Sequence, residues 1–201
     1  MPQSPESNLG TDIATRSASR LLDLALRITL FAGLLALLPA ASIAAPVSEY
    51  QVKAAFLYNF ARFVDWPAQA HRPGNLTLCI VGANPFGSAI NVVVGKPVGS
   101  DRLSVRQANA DNVGDCQLVY IAGSDTATLG KVLASVRGRP ILTVGDSRGF
   151  ADGGAVFNFY SEDNKIRFEV NIDAARRTGL SISSQLLRLG RITRDRGRNS
   201  G

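Results

Sequence analysis

Few residues of this chain could take part in nucleophilic or acid–base catalysis. His71 is the single histidine and lies in the stretch AQAHRPGN, which ends in a proline, a glycine and an asparagine. A Ser-His-Asp or Cys-His device would have to use it, and a histidine in a surface loop is the simpler interpretation. Asp146 and Asp152 form a carboxylate pair in sequence only. We therefore predict no catalytic residues and no enzymatic activity.

The two cysteines, Cys79 and Cys116, offer a second kind of chemistry. An even number of cysteines favours a disulfide in an oxidising compartment. Two widely separated cysteines and one histidine do not make a zinc site. We therefore predict a disulfide between Cys79 and Cys116, no metal site and no cofactor.

Two kinds of feature could bind an anionic ligand. The glycine-bearing turns at 82–87 and 145–154 each follow a predicted strand, and the first one leads into a helix. Helix N-termini attract phosphate and carboxylate groups, but residues 82–87 lack the lysine and hydroxyl of a phosphate-binding loop. Arg176 and Arg177 are adjacent cations. These features favour a small-molecule binding or transport-accessory protein, for nucleotides or amino acids, which would act in the periplasm if the chain is exported. Ordinary turns and solvated arginines are the simpler interpretation.

The first 44 residues have the three parts of a secretory signal. Three arginines precede an apolar run at 28–38, and small residues end at Ala44 and Ala45. Such a positive flank, short apolar run and small-residue cleavage site are typical of exported proteins. The run is shorter than the roughly 20 apolar residues that span a bilayer. We predict a signal peptide at 1–44, cleaved near Ala44, rather than an uncleaved anchor, so that the processed protein does not span a membrane.

The charge of the chain is concentrated at its C-terminal end. The net charge is +6, and from Arg188 onward five arginines stand against Asp195 alone. A basic tail can bind nucleic acid, but in an exported protein a solvated, disordered end is the simpler interpretation. We predict a basic disordered tail at 191–201 and no nucleic-acid partner.

A helix rich in aromatic residues is predicted directly after the signal peptide, at 48–64. Apolar side chains recur there at helical spacing, which predicts one buried side. The predicted buried residues are Val52, Ala55, Phe56, Asn59, Phe60 and Phe63. Lys53 is assigned to the polar face, and the helix is expected to end at Trp66-Pro67. Tyr50, Tyr58 and Trp66 are left over as candidates for a partner-binding surface.

The rest of residues 46–190 predicts one α/β domain. Short runs rich in β-branched residues alternate with amphipathic segments, which implies a parallel sheet with covering helices. The predicted strands are 76–82, an edge strand near 103–105, 116–123 and 140–144, and the predicted helices are 84–93 and 126–137. A hairpin follows, with arms at 155–160 and 165–170 and a four-residue loop. The fold class is therefore a single-domain three-layer α/β sandwich, whose mixed sheet has a parallel part and a C-terminal hairpin and is flanked by helices.

Several stretches, in their order and spacing, resemble the YfiR family of exported bacterial proteins. They are YQVKAAFLYNFARFVDWP, LTLCIVGANPFG, CQLVYIAG, PILTVGD…GFADGGAVFNF and KIRFEVNIDAARRTGLSISSQLLRL. The resemblance covers nearly all of residues 48–190. The helix ending in Trp-Pro and the segment from Asn171 to the paired leucines are its most specific parts.

The resemblance implies a periplasmic α/β sandwich without catalytic activity. Its expected role is to bind the periplasmic sensor domain of an inner-membrane diguanylate cyclase and repress it, which controls cyclic-di-GMP and biofilm formation. An outer-membrane lipoprotein and a second copy of the chain, giving a homodimer, are further expected partners. Cys79 and Cys116 match a family cysteine pair. A second pair, which some members carry near the hairpin, is absent from this sequence.

Overall fold

A computed structural model of the chain describes residues 47–67, 70 and 73–195. The predicted signal peptide and His71 lie outside these residues. The helices are α1 (Glu49–Phe63), α2 (Thr126–Ser135), α3 (Ile172–Thr178) and α4 (Ser184–Leu189), with a 3-10 helix at Gly87–Val92. The strands are β1 (Val64–Asp65), β2 (Asn75–Val81), β3 (Pro97–Val98), β4 (Asp101–Ala108), β5 (Leu118–Ile121), β6 (Leu142–Gly145), β7 (Phe157–Glu162), β8 (Lys165–Asn171), β9 (Ser181–Ile182) and β10 (Arg191–Thr193).

Within the described residues, eight strands form one mixed sheet in the order β10-β8-β7-β6-β5-β2-β4-β3. The neighbouring strands from β7 to β4 are parallel to one another. The hairpin adds β8 antiparallel to β7. At the edges, β10 is parallel to β8 and β3 is antiparallel to β4. The predicted combination of a parallel part and a C-terminal hairpin is therefore confirmed.

Helices cover both faces of this sheet. Successive strand residues point to opposite faces, so Leu78 and Ile80 of β2 enter the core shared with α1, while Cys79 and Val81 enter the core shared with α2. Helix α1 contributes Leu57 and Phe60 to the first core, and α2 contributes Leu129 and Val132 to the second. The three-layer α/β sandwich is confirmed, and the described residues belong to one compact unit.

Helix α1 begins in a capping box and ends earlier than predicted. The Ser48 hydroxyl accepts the backbone N–H of Gln51 at 3.2 Å, and the Gln51 side chain accepts the N–H of Ser48 at 2.8 Å. These bonds satisfy backbone donors that a helix start leaves unpaired. The helix stops at Phe63 because the next two residues, Val64 and Asp65, pair as β1 with β9. Trp66-Pro67 therefore lies beyond the helix.

The buried side of α1 differs in part from the prediction. Phe60 is fully buried, as predicted, and stacks on Phe157 with ring centroids 4.2 Å apart. Phe56 contacts the same aromatic cluster but is only partly buried. Ala55 is exposed, whereas Lys53 is buried. The assignment of Lys53 to the polar face was therefore wrong, because the carboxylates of Asp146 and Glu49 compensate its charge.

The β7–β8 hairpin turns over two residues rather than the predicted four. Asp163 and Asn164 have φ of +50° and +57°, and φ is positive at both central residues of the type I′ turn that suits a hairpin. The strands therefore continue to Glu162 and Lys165, which pair directly. An ion pair of 2.8 Å between Arg167 and Glu162 supports this extension.

The predicted C-terminal tail begins with an ordered strand. Residues 191–193 form β10 along the free edge of β8, so the tail assignment is wrong for this part, while 196–201 lie outside the described residues. Ion pairs hold the segment in place: Arg191 binds Glu169, and Arg194 lies 3.7 Å from Asp173. Two of the arginines that suggested a solvated tail, Arg191 and Arg194, are thus neutralised by carboxylates of β8 and α3.

The predicted disulfide is present. Cys79 of β2 is joined to Cys116, just before β5, with the two Cα atoms 5.9 Å apart. Both residues are buried in the core under α2. Among the residues that the structure describes, none of the helices has the length and hydrophobicity needed to span a bilayer.

Candidate functional site

A buried polar cluster lies at the carboxyl end of the parallel strands. Asp146 directly follows β6, and its Oδ2 lies 3.2 Å from Nζ of Lys53 on α1. The hydroxyl of Tyr120, on β5, donates to the same oxygen. Glu49 reaches Lys53 from one helical turn away, at 2.5 Å. The Asp146 carboxylate therefore pairs with the Lys53 ammonium and accepts a hydrogen bond from the Tyr120 hydroxyl, at the point where α1 crosses the sheet.

Burial and charge pairing oppose each other at Lys53. Its side chain is 7 % exposed and that of Asp146 is 12 % exposed. Burial by itself lowers the pKa of the Lys53 ammonium, but the contacts with Glu49 and Asp146 outweigh it and leave the pKa raised. Burial raises the pKa of Tyr120 far above its ordinary range, and the hydrogen bond to Asp146 adds to this. Lys53 therefore stays charged and Tyr120 neutral near pH 7.

These properties suit a structural role, in which the cluster connects α1 to the end of β6. General acid–base catalysis works best with a group whose pKa lies near the working pH, and the pKa values of Lys53 and Tyr120 are both moved away from neutrality. The cluster instead fixes α1 on the sheet. Sequence reasoning missed it, although Lys53 stands four residues before Leu57 and seven before Phe60, which is the spacing of the buried stripe.

Tyr50, the first candidate for a partner surface, is partly buried against the core. Its ring meets Phe86 edge-on, with centroids 5.5 Å apart. The ammonium of Lys53 lies 4.9 Å from its centroid. Much of the Tyr50 ring therefore packs inside the domain next to the polar cluster.

Trp66, the second candidate, is attached to the sheet. Its indole N–H donates to the backbone carbonyl of Gln117 at 3.3 Å. Gln117 is itself buried, and its side chain accepts the backbone N–H of Thr77 at 2.8 Å. The polar atom of Trp66 is thus satisfied within the domain.

Tyr58, the third candidate, lies where α1 meets the loop before β3. Its hydroxyl donates to the carbonyl of Pro97 at 2.8 Å. Arg62 and Lys96 lie 5.7 Å and 5.3 Å from the ring centroid. Of the three aromatic candidates, Tyr58 is the one placed beside two exposed cations.

The two adjacent arginines of α3, Arg176 and Arg177, lie in different environments. Arg177 pairs with Asp195 and, with Arg137, borders a cavity of about 360 Å³ whose wall includes Leu133 and Thr143. Arg176 is exposed and does not line this cavity. The structure therefore brings Arg177, but not Arg176, to a concave surface.

The turn at 82–87 has the hydrogen bonding of an ordinary turn. The Asn84 side chain accepts the backbone N–H of Phe86 at 2.9 Å. A six-residue 3-10 helix follows, which is too short to provide the aligned dipole that attracts anions. Among the described residues, no group of three or more His, Cys, Asp or Glu side chains is arranged to hold a metal ion.

One solved structure, titled as the ABC domain in complex with L-Trp from Streptococcus pneumonia, superposes on part of this chain. The superposition gives a TM-score of 0.48 at 7 % sequence identity. It covers 72 % of this chain and 62 % of that one, so this chain spans less than two thirds of the length of that protein. At this distance the likeness does not bear on function.

A family profile matches most of the domain. The profile of the YfiR/HmsC-like family matches residues 50–191, from the first turn of α1 to the start of β10. The matched range includes both cysteines of the disulfide and the β7–β8 hairpin. This family is regulatory and is linked to diguanylate cyclase signalling. The chain belongs to the YfiR/HmsC-like family.

Proposed function

We propose that this protein is a non-enzymatic periplasmic regulator. It binds the periplasmic sensor domain of an inner-membrane diguanylate cyclase and holds the cyclase inactive, which lowers cyclic-di-GMP and disfavours biofilm formation. The observation that carries this proposal is the family match over residues 50–191. The predicted signal peptide and the buried disulfide, which suits an oxidising compartment, support the periplasmic location.

Repression by binding needs a difference in affinity between two states of the cyclase. A regulator shifts a receptor towards its inactive state only by as much as it binds that state better, and a tenfold preference supplies about 1.4 kcal/mol. A rigid binding partner loses little conformational entropy on association. The Cys79–Cys116 disulfide and the Lys53–Asp146 ion pair favour such rigidity, because each joins distant parts of the chain.

The proposal includes two further partners. A second copy of the chain would give a homodimer, and an outer-membrane lipoprotein would sequester the regulator and release the cyclase. Tyr50, Tyr58, Trp66, Arg176 and Arg177 remain the proposed contact residues. Of these, Tyr58 and Arg176 offer the side chains best placed for contact, since Tyr50 and Trp66 pack inward and Arg177 pairs with Asp195.

In-cell cross-linking tests the proposal. The tagged, exported protein is cross-linked in living cells and purified from solubilised membranes, and its covalent partners are identified by mass spectrometry. We expect a membrane protein that has a periplasmic sensor domain and a cytoplasmic cyclase domain. An unrelated exported protein with the same tag is the control. Recovery of no cyclase above that control, in several growth conditions, would contradict the proposal.

A second candidate function is small-molecule binding, which the cavity bordered by Arg137 and Arg177 favours. Its volume of about 360 Å³ is within the range of ligand pockets. A thermal-shift screen of nucleotides and amino acids tests it, because a ligand at about 100 times its dissociation constant stabilises a protein by about 2.7 kcal/mol. No shift with any compound would count against this function.

A further inference from the structure

An exposed surface beside Tyr58 combines aromatic, cationic and apolar groups. We call it the Tyr58 surface, and it consists of Tyr58, Arg62, Lys96 and Arg102 together with the exposed Val92 and Val94 of the segment that leads into Lys96. Tyr58 joins α1 to the start of β3 through its hydrogen bond to the carbonyl of Pro97. Arg62 and Lys96 flank the Tyr58 ring, and Arg102 donates to the carbonyl of Gly95 in the loop before β3 at 2.9 Å. Three cations are therefore collected around one short loop.

The charges of this surface are not neutralised within the described part of the chain. There, Arg62, Lys96 and Arg102 make no ion pair with a carboxylate, and each is exposed. Other basic residues are paired, such as Arg167 with Glu162 and Arg191 with Glu169. The contrast leaves three exposed cations without a carboxylate partner among the described residues.

Two exposed valines lie in the segment that leads into Lys96 and supply the apolar part of the Tyr58 surface. Val92 is 50 % exposed and Val94 is 48 % exposed, whereas Val93 between them is 1 % exposed and belongs to the core. Val94 stands two residues before Lys96. Aromatic and arginine side chains around an apolar centre are the composition of protein–protein interfaces.

We propose that the Tyr58 surface docks an acidic segment of the protein partner, a segment that carries at least one apolar side chain. Its carboxylates would pair with Arg62, Lys96 and Arg102, and its apolar side chain would cover Tyr58 and Val94. This deepens the proposed function and rests on it, because the partner is taken to be the periplasmic domain of the cyclase. Charge complementarity selects an acidic segment, since a basic one would be repelled by three unpaired cations.

Such a surface acts mainly on the rate of encounter. Exposed charges steer a complementary partner over roughly a Debye length, and salt screens the effect. Reversing their sign therefore slows association and removes much of its salt dependence. The apolar contact contributes to the lifetime of the complex.

The first test measures binding of the purified protein to the periplasmic domain of the cyclase recovered by cross-linking. The test variant is Arg62→Glu with Lys96→Glu, and the control is Arg148→Glu with Arg188→Glu. Both change the net charge equally at exposed residues. We expect the test variant to bind at least about tenfold more weakly, through slower association, and the control to stay within about twofold of the unaltered protein. Equal binding by the test variant and the unaltered protein would overturn the proposal while leaving the proposed function intact.

The second test does not depend on a cyclase. A photo-cross-linking amino acid replaces Val94 in the exported protein, and another replaces Arg148 as the control. We expect the residue at position 94 to capture an acidic segment of a protein partner. Capture of a second copy of this chain, capture of a basic segment, or no capture above the control would overturn the proposal. If the unaltered protein binds no cyclase but position 94 captures an acidic segment, the proposed function fails and the surface assignment stands.

A vesicle experiment separates a protein partner from a membrane. The probe is vesicles of anionic phospholipid, with neutral vesicles as the control. We expect no more binding to the anionic vesicles than to the neutral ones. Strong binding to anionic vesicles that Arg62→Glu with Lys96→Glu abolishes would assign the surface to lipid headgroups and overturn the proposal.

Discussion

Lys53 of α1 and Asp146 after β6 form an ion pair, with Nζ and Oδ2 3.2 Å apart, although the two residues stand 93 positions apart in the chain. Each is almost completely buried, and Tyr120 donates to the same carboxylate. Removing charges from water is costly, so such a pair is stable only while both partners are present. The first helix of the domain is thus tied to the carboxyl end of the parallel strands by a polar contact inside an apolar core.

Replacing Lys53 with methionine is expected to destabilise the protein. The substitution keeps most of the side-chain volume but leaves the Asp146 carboxylate buried without its cation, which lowers the free energy of unfolding by roughly 2–4 kcal/mol. Urea denaturation measures the change. Lys165→Met, at an exposed hairpin residue, is the control and should change stability by less than about 0.5 kcal/mol.

The coupling between the two residues is measured with Asp146→Asn. The double variant is expected to lose less stability than the two single variants together, because the asparagine leaves no unpaired charge. Strictly additive losses would show that Lys53 and Asp146 do not act as a pair.

The stability of the protein is expected to fall in alkaline solution. The pKa of Lys53 is raised from about 10.5 and that of Tyr120 from about 10.0, so the folded state keeps protons that the unfolded chain releases. This stability is fully present below pH 10 and is lost as the pH rises above it, at about 1.4 kcal/mol per pH unit for each proton. Tyr120→Phe removes one of the two titrating protons, so the free energy of unfolding should fall less steeply with pH. A slope identical to that of the unaltered protein would contradict this assignment.

The packing of α1 shows which buried residues a sequence pattern can predict and which it cannot. Helical spacing predicted that Phe60 covers the sheet, and it does. The buried face of a helix can be recognised from the spacing of its apolar residues alone, without knowing which residues pack against it. Lys53 was misassigned because hydropathy alone cannot reveal a carboxylate that the fold brings from 93 positions away. Charged residues are buried where they are paired, and the pairing exists only in three dimensions.

The hairpin and the C-terminal strand were misjudged for a related reason. The polar residues Ser161 to Asn164 suggested a four-residue loop, but cross-strand pairing extends both arms and leaves a two-residue turn. The arginines after Gly190 suggested a disordered tail, yet Glu169 and Asp173 neutralise Arg191 and Arg194.

The candidate site also depends on contacts between residues that are distant in the sequence. Sequence singled out Tyr58, but the cations around it come from both its own helix and a loop nearly forty residues away.

Loss of the disulfide is expected to cost considerable stability. The bond links Cys79 to Cys116, which are separated by 37 positions. Closing such a loop in the unfolded chain is worth about 4 kcal/mol in the chain-entropy model. Guanidinium denaturation of Cys79→Ala with Cys116→Ala should therefore show a midpoint well below that of the oxidised protein. Reduction of the unaltered protein should give a similar shift, and an unchanged midpoint on reduction would contradict the prediction.

Two glycines are expected to respond to alanine in opposite ways. At Gly190, before β10, a Cβ would lie 2.5 Å from Phe168 and 2.7 Å from Val170, so Gly190→Ala should destabilise by roughly 1–3 kcal/mol. At Gly130, inside α2, a Cβ would meet open space, so Gly130→Ala should stabilise by roughly 0.5–1 kcal/mol. Thermal unfolding of both variants measures the contrast. Equal effects would show that β10 is not packed against β8 as described.

The intracellular concentration of cyclic-di-GMP tests the regulatory role most directly. It is measured in cells that lack the gene, in cells complemented with the unaltered gene, and in cells complemented with the Arg148→Glu, Arg188→Glu control. We expect deletion to raise cyclic-di-GMP, and both the unaltered and the control proteins to restore the original level. An unchanged cyclic-di-GMP concentration after deletion, in several growth conditions, would contradict the regulatory role.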